Sequence, residues 1–130
     1  MELPATAAAA ETALAHLGDR AGVVPGSFFD PLPPGGGAYV LAQIPHDWPD
    51  DGALAILRRC AETGGRVVVV ERPLDGDPVE MTGMDLRMLV VFGGRERTVR
   101  ELGALAATAG LRVAAVTPAG GGFAVLDCAP

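Results

Sequence analysis

The sequence predicts an α/β fold: a mostly parallel sheet with an antiparallel closing strand and helices on both faces. Three observations carry this prediction. Residues 38–44 form a nearly continuous apolar run, residues 66–71 (RVVVVE) hold four consecutive valines, and between the two Leu54, Leu57 and Ala61 recur at helical spacing, widened by Ile56 and Cys60. Consecutive uncharged β-branched residues favour a strand over a helix. Near-continuous apolar runs are what parallel strands covered on both faces require. Residues 38–70 therefore read as a βαβ unit, whose crossover is right-handed in nearly all proteins and lays the helix across one face of the sheet.

The other elements follow in chain order. Residues 5–17 are rich in Ala, the best helix former, and read as a helix closed by Gly18 with Glu11 and His16 on its polar face. A short β run at 22–25 precedes SFFDPLPPGGG, whose prolines and glycines make a loop. PHDWPDD turns into a helix over 50–63, with Arg58 and Arg59 in its last turns and Gly64 and Gly65 ending it. Residues 85–92 read as a short apolar helix ended by Gly93 and Gly94. Thr98 with Glu101 three residues on is a capping box for a helix running to Gly110. Residues 112–117 and 122–128 then close the sheet around the PAGGG turn.

The length of 130 residues, 49% hydrophobic and 20% charged, suits one domain with a single modest core. A formal net charge of -6 argues against nucleic acid and anionic membranes as partners, because both are held by Lys and Arg. Every basic side chain is Arg and there is no Lys or Asn, which reads as the codon bias of a GC-rich genome. Cys60 and Cys128 match no metal spacing and make a poor disulfide framework, so reduced thiols and a cytoplasmic location are expected. The N-terminus lacks a basic n-region, and no apolar run reaches the ~20 residues that span a bilayer. Neither a signal peptide nor a membrane span is expected.

In open α/β sheets ligands bind outside the carboxyl ends of the strands. Two polar groups fall there: His46, Asp47 and Trp48 after the first strand of the βαβ unit, and Glu71 after the second. An imidazole with an ordinary pKa near ~6.5 can take a proton at neutral pH, and a carboxylate facing it fixes its tautomer and raises its basicity. His46 and Glu71 thus read as a general base and its orienter. A plainer reading stands beside this one. His46 is then a turn residue, with Asp47 or Asp50 capping the next helix and Trp48 as a hydrophobic staple, and Glu71 pairs with Arg72 or another Arg at the surface. Glu96, ahead of the capped helix, suits the helix dipole on structure alone. His16 reads as a solvated helix residue, and Met84, Met88 and Phe92 as core. No metal-ligand spacing, Ser/His/Asp order or phosphate loop is present.

The ordered blocks ELP (2–4), VVPGSFFDPLP (23–33), HDWPDD (46–51), GGRVVVVERPL (64–74), MDLRMLVVFGGRERT (84–98) and ELGALAATAGLR (101–112) closely resemble the small-molecule O-methyltransferases that use S-adenosylmethionine. These include plant caffeate-type and actinobacterial polyketide-tailoring enzymes. The resemblance covers essentially the entire chain, with the blocks in family order and spacing, and implies a Rossmann-like methyltransferase sheet.

The resemblance implies residue roles. His46 matches the general base for the acceptor hydroxyl, Glu71 and Glu96 the acids that flank it, and Asp47 the neighbouring acid. Asp85 and Met88 fall where family members line the acceptor pocket. For the cofactor, Glu2 matches the acid on the ribose hydroxyls, Ser27 and Phe28 the residues around the adenine, and Ala42 a further contact position. Ser27 stands where the family has an acid, and Ala42 where it usually has a polar residue. The resemblance also implies that the chain is the C-terminal portion of a catalytic domain, without the Gly-rich cofactor turn and the N-terminal dimerisation domain. Weak cofactor binding by this chain alone is expected, with a homodimer or a complementing N-terminal chain as partner beside the small-molecule hydroxyl acceptor. The strand at 38–44 would then carry an apolar edge, covered by residues 22–25 or by a second copy of the chain. Two rivals remain: a non-catalytic small-molecule binding or interaction domain, and a non-methylating relative on the same scaffold.

Overall fold

Strands β1 (Ala38–Ala42), β2 (Arg66–Glu71), β3 (Arg112–Pro118) and β4 (Ala124–Ala129) form one sheet in the order β1-β2-β4-β3. The computed structural model describes residues 1–75, 83, 86, 89–91 and 93–130. It divides into two units, 1–33 and 34–130.

In the second unit β1 and β2 run parallel, in register from Ala38 opposite Arg66 to Ala42 opposite Val70. β4 is antiparallel to both β2 and β3, so three strands share one direction and the last strand of the chain slots between them in the other. One strand pairing is parallel and two are antiparallel, a mixed sheet with the antiparallel closing strand that the sequence predicts. Residues alternate across it, as the two-residue period of a strand requires. Val67 and Val69 of β2 and Leu126 and Cys128 of β4 are buried, at 3% exposure or less. Helix α2, the second in the chain (Asp50–Glu62), buries Ala53, Ile56, Leu57 and Cys60, one stripe at helical spacing. Helix α3 (Val99–Thr108) buries Leu102 and Ala106 and touches α2.

Both helices begin and end for local reasons. Asp50 and Asp51 in the first turn of α2 suit the positive end of its dipole. Gly64, at φ +70°, takes the left-handed turn after it. At α3 the capping box is complete: Thr98 Oγ1 accepts from the Glu101 N–H at 3.2 Å and Glu101 Oε2 accepts from the Thr98 N–H at 2.8 Å. A cap of this kind contributes about 0.5–2 kcal/mol. The bonds from Thr98 hold the Glu101 carboxyl below its usual range.

The thiols of Cys60 and Cys128 are free and have no exposed surface. Burial pushes the Cys60 thiol up to about 11 and raises that of Cys128 as well, with the Asp127 charge adding to the latter.

Several expectations need correction. β1 ends at Ala42 and not at residue 44, because Gln43 turns to φ +54°. The first strand is not covered on both faces: Val40 is 62% exposed, and Val68 and Val70 across the same side of the sheet are only half-buried. On that side Arg66 donates to both carboxylate oxygens of Asp127, at 2.6 and 2.7 Å. Among the described residues β1 pairs with β2 alone and is an edge strand.

In the first unit, helix α1 (Pro4–Leu14) continues as a 3-10 turn over Ala15–Arg20, with Gly18 at φ +55°. The expected β run at 22–25 is reduced to one bridge between Glu2 and Pro25. Pro25 has no N–H to carry a ladder on. His16 is exposed, its Nδ1–H donating to the Ala13 carbonyl at 2.9 Å. Of the helix expected over 85–92, residues 86 and 89–91 are described and are helical, while Met84, Asp85, Met88 and Phe92 lie outside the described residues.

Candidate active site

The left-handed turn at Gln43, whose N–H donates to the Val70 carbonyl at 2.9 Å, ends β1 and redirects the chain toward the end of β2. The short 3-10 turn Pro45–Asp47 follows and carries His46. Glu71, the last residue of β2, is 2% exposed on the same sheet face as Val67 and Val69. Its Oε1 accepts the His46 backbone N–H at 3.2 Å, and its Oε2 accepts the ring Nδ1–H at 2.8 Å. Glu96, 5% exposed, brings Oε1 to 3.9 Å from the same Nδ1. Asp47 Oδ1 stands 3.2 Å from Nε2, on the other side of the ring.

Glu71, Glu96 and Asp47 thus all stand around the His46 ring. The plainer reading keeps His46 in a turn but is overturned at the helix cap and at Glu71. The N-cap of α2 is Pro49 with no side-chain bond, so neither Asp47 nor Asp50 caps it. Glu71 is buried against His46 and not spread on the surface, and Glu96 turns into the same cluster.

The hydrogen bond that the ring donates to Glu71 raises the His46 pKa above its usual value. Partial burial opposes this, and the charges of Glu71, Glu96 and Asp47 reinforce it. Burial raises the Asp47 carboxyl in turn, against the pull of the imidazole. With Nδ1–H held by Glu71, Nε2 is the ring nitrogen whose lone pair can receive a proton.

His46, Glu71 and Glu96 place one donor atom each within 4.8 Å of one another, a grouping that no ligand spacing in the sequence reveals. A cation there would have to displace the proton that Nδ1 gives to Glu71. The observed bond therefore fits proton chemistry. The recess around the cluster is lined by His46, Glu71, Glu96, Arg97 and Leu102. Arg97, inside the GGRERT block but not singled out by sequence reasoning, is 2% exposed. A basic residue next to a predicted site acid, in a block with two glycines, was the available signal.

The residues matched to cofactor positions fall in both units. In the first, Glu2 donates its N–H to the Val24 carbonyl at 3.0 Å and accepts from the Gly26 N–H at 2.9 Å, which brings Ser27 and Phe28 close behind it. Its Oε1 accepts from the Thr6 hydroxyl and the Leu3 N–H, both at 2.8 Å, and these bonds hold its carboxyl below the usual range. Ser27 Oγ accepts from the Phe29 N–H at 3.3 Å, and the Phe28 and Phe29 rings meet edge to face at 5.2 Å. In the second unit Ala42 is exposed at the carboxyl end of β1. Asp85 and Met88 lie outside the described residues.

An open α/β sheet with a carboxylate-held imidazole at the carboxyl ends of two parallel strands defines a Rossmann-like protein. Residues 1–112 match the O-methyltransferase domain family, and the chain belongs to it. It is 56% identical over 117 residues to 2,7-dihydroxy-5-methyl-1-naphthoate 7-O-methyltransferase of Streptomyces carzinostaticus, covering 88% of this chain and 35% of that protein. It is 41% identical over 124 residues to aclacinomycin 10-hydroxylase of Streptomyces purpurascens, covering 90% of this chain and 33% of the relative. Among solved structures, an O-methyltransferase from neocarzinostatin biosynthesis, in complex with S-adenosyl-L-homocysteine and 1,4-dihydroxy-2-naphthoic acid, superposes with a TM-score of 0.90 at 48% identity, over 98% of this chain and 40% of that one. The chain thus spans about a third of the length of the curated relatives it matches.

Proposed function

We propose that this chain is the base-bearing part of an O-methyltransferase that moves a methyl group from S-adenosylmethionine to a hydroxyl of an aromatic or polyketide-like small molecule. The observation that carries the proposal is the double hold of Glu71 on His46, which leaves Nε2 as the proton acceptor. With the acceptor oxygen bonding to the methyl carbon as the methyl–sulfur bond breaks and S-adenosyl-L-homocysteine leaves, His46 Nε2 would take the hydroxyl proton. The imidazolium so formed keeps Nδ1–H on Glu71, with Glu96 and Asp47 offsetting its charge. Such positioned proton transfer contributes about 10²- to 10⁴-fold.

S-adenosylmethionine supplies an electrophilic methyl group when bound. The residues fit it in part: an ionised Glu2 suits two ribose hydroxyls, and Phe28 offers an apolar face to the adenine. Ser27 can still hydrogen-bond, whereas the Ala42 side chain cannot. The acceptor class rests on the hydroxynaphthoate named for one relative and bound in the other.

The test is transfer of a labelled methyl group to a hydroxynaphthoic acid by a preparation competent in S-adenosylmethionine binding. His46→Ala should cut turnover by about 10²- to 10⁴-fold while cofactor affinity stays unchanged, because a base acts on the transition state. Equal losses in both would make His46 structural. The likeness to a hydroxylase favours a second reading, a non-methylating reaction on the same scaffold. A product heavier by one oxygen, and not by one CH2, would establish that reading instead.

A further inference from the structure

We propose that Arg97 is the positioning residue of this site, holding His46 in place through the backbone of its turn and touching no reacting atom. The inference rests on the reading of His46 as the base. Arg97 has five N–H donors, and five bonds use them. Nε–H and one Nη2–H reach Asp50 Oδ1 at 3.0 and 2.8 Å, and the other Nη2–H donates to the Trp48 carbonyl at 2.8 Å. The two on Nη1 donate to the Pro45 carbonyl at 2.7 Å and the Arg95 carbonyl at 3.3 Å. Four of these five bonds end on residues 45–50, and they bracket His46 from both sides.

The main chain of the same residue completes the link. The Arg97 carbonyl accepts from the Leu74 N–H at 3.0 Å, three residues past Glu71, and Glu96 directly precedes it. One residue therefore joins the turn that carries the imidazole, the segment that follows its orienter, and the second acid. Gly94 lets them close up: a Cβ there would lie 2.1 Å from the His46 carbonyl oxygen and 2.5 Å from the Asp47 carbonyl carbon. Only a glycine permits that approach, and Arg97 then fixes the register.

The residue type follows from the burial. A guanidinium this deep is tolerated only when every donor is satisfied. Its flat fork spans acceptors from Pro45 to Asp50, which the single ammonium of a lysine does not. The charge of Arg97 and its geometry also act on His46 in opposite senses. A buried cation nearby disfavours imidazolium, whereas a clamp that holds His46 against Glu71 favours it. Among the described residues, the charged groups that face His46 are Asp47 on its own turn, Glu71 on β2, and Glu96 and Arg97 on the segment before α3.

Arg97→Lys separates the two effects, since it keeps the charge and removes the fork. The readout is the NMR titration of the imidazole C–H signals, which are few because the chain has 2 histidines, His46 and the exposed His16. A folded Arg97→Lys should show the His46 midpoint lowered by about one pH unit. A folded variant with the wild-type His46 midpoint would overturn the proposal, because a merely structural arginine changes stability and leaves that midpoint alone. Should the variant not fold, the wild-type chain decides. Five fixed bonds predict separate, slowly exchanging Nη–H resonances for Arg97 at low temperature, and a single averaged guanidinium signal would refute them. Both readouts are independent of methyl transfer, so a failure of the clamp and a failure of the base role are told apart.

Discussion

Glu71 holds His46 at two points, the backbone N–H at 3.2 Å and the ring Nδ1–H at 2.8 Å. One carboxylate therefore sets both where the residue enters the site and which way its ring faces. A carboxylate is the side chain for this task, since its two oxygens are both acceptors and its charge favours imidazolium.

Glu71→Gln should weaken both functions, because a carboxamide offers one acceptor oxygen and no charge. Methyl transfer is expected to fall about ten- to a hundredfold, as for other groups that orient a reacting imidazole, while cofactor affinity is unchanged. The His46 titration should move down toward the ordinary value. Glu96→Gln should do less of both, since Glu96 stands 3.9 Å from Nδ1. Steady-state kinetics beside an NMR titration of each variant checks this.

Rate and stability should run in opposite directions with pH. The His46 pKa is raised in the folded chain. The base works only when neutral, so methyl transfer should rise with pH through that raised value. For a raised histidine the added stability is fully present below the unfolded value near ~6.5 and is lost as pH rises through the folded one. Urea midpoints should therefore fall over the same interval in which the rate climbs, and His46→Ala should remove that part of the fall.

Affinity of residues 1–130 for S-adenosylmethionine should be weak, with a Kd above ~1 μM. Nucleotide sites of this type gain much of their affinity from backbone N–H groups at a Gly-rich turn and helix N-terminus. Among the described residues no such turn follows a parallel strand, and Ala42 offers no polar side chain. Calorimetry decides, and a sub-micromolar value would mean that other residues of this chain build a complete cofactor site.

What was legible in the sequence follows the range of the forces involved. The valine strand, the amphipathic stripe of α2 and the Thr98–Glu101 box are set by neighbours within a few residues, and each appears where the pattern places it. The order β1-β2-β4-β3 was not legible, because inserting the last strand beside Val67–Glu71 depends on contacts some sixty residues apart. The exposed side of β1 was misread for a related reason: an apolar run reports the side chains available for burial, not whether anything lies against them. The site divides in the same way. His46, Asp47, Glu71 and Glu96 stood out by position and motif, but nothing in the spacing of Arg97 announces four bonds to a turn about fifty residues earlier. Gln43 at φ +54° was likewise invisible, since a side chain with a Cβ gives no warning of a left-handed backbone.

The two sealed cysteines make the chain its own reporter of breathing motions. Thiolate is the species that attacks a disulfide reagent, and Cys60, with its thiol pushed up to about 11 and no surface in contact with solvent, supplies almost none while α2 stays docked. Labelling at Cys60 and Cys128 thus proceeds only through opened molecules, one tag recording departures of the helix and the other departures of the central strand β4. Equal labelling rates would mean that helix and strand open as a single cooperative unit, and a faster Cys60 that the helix lifts away first.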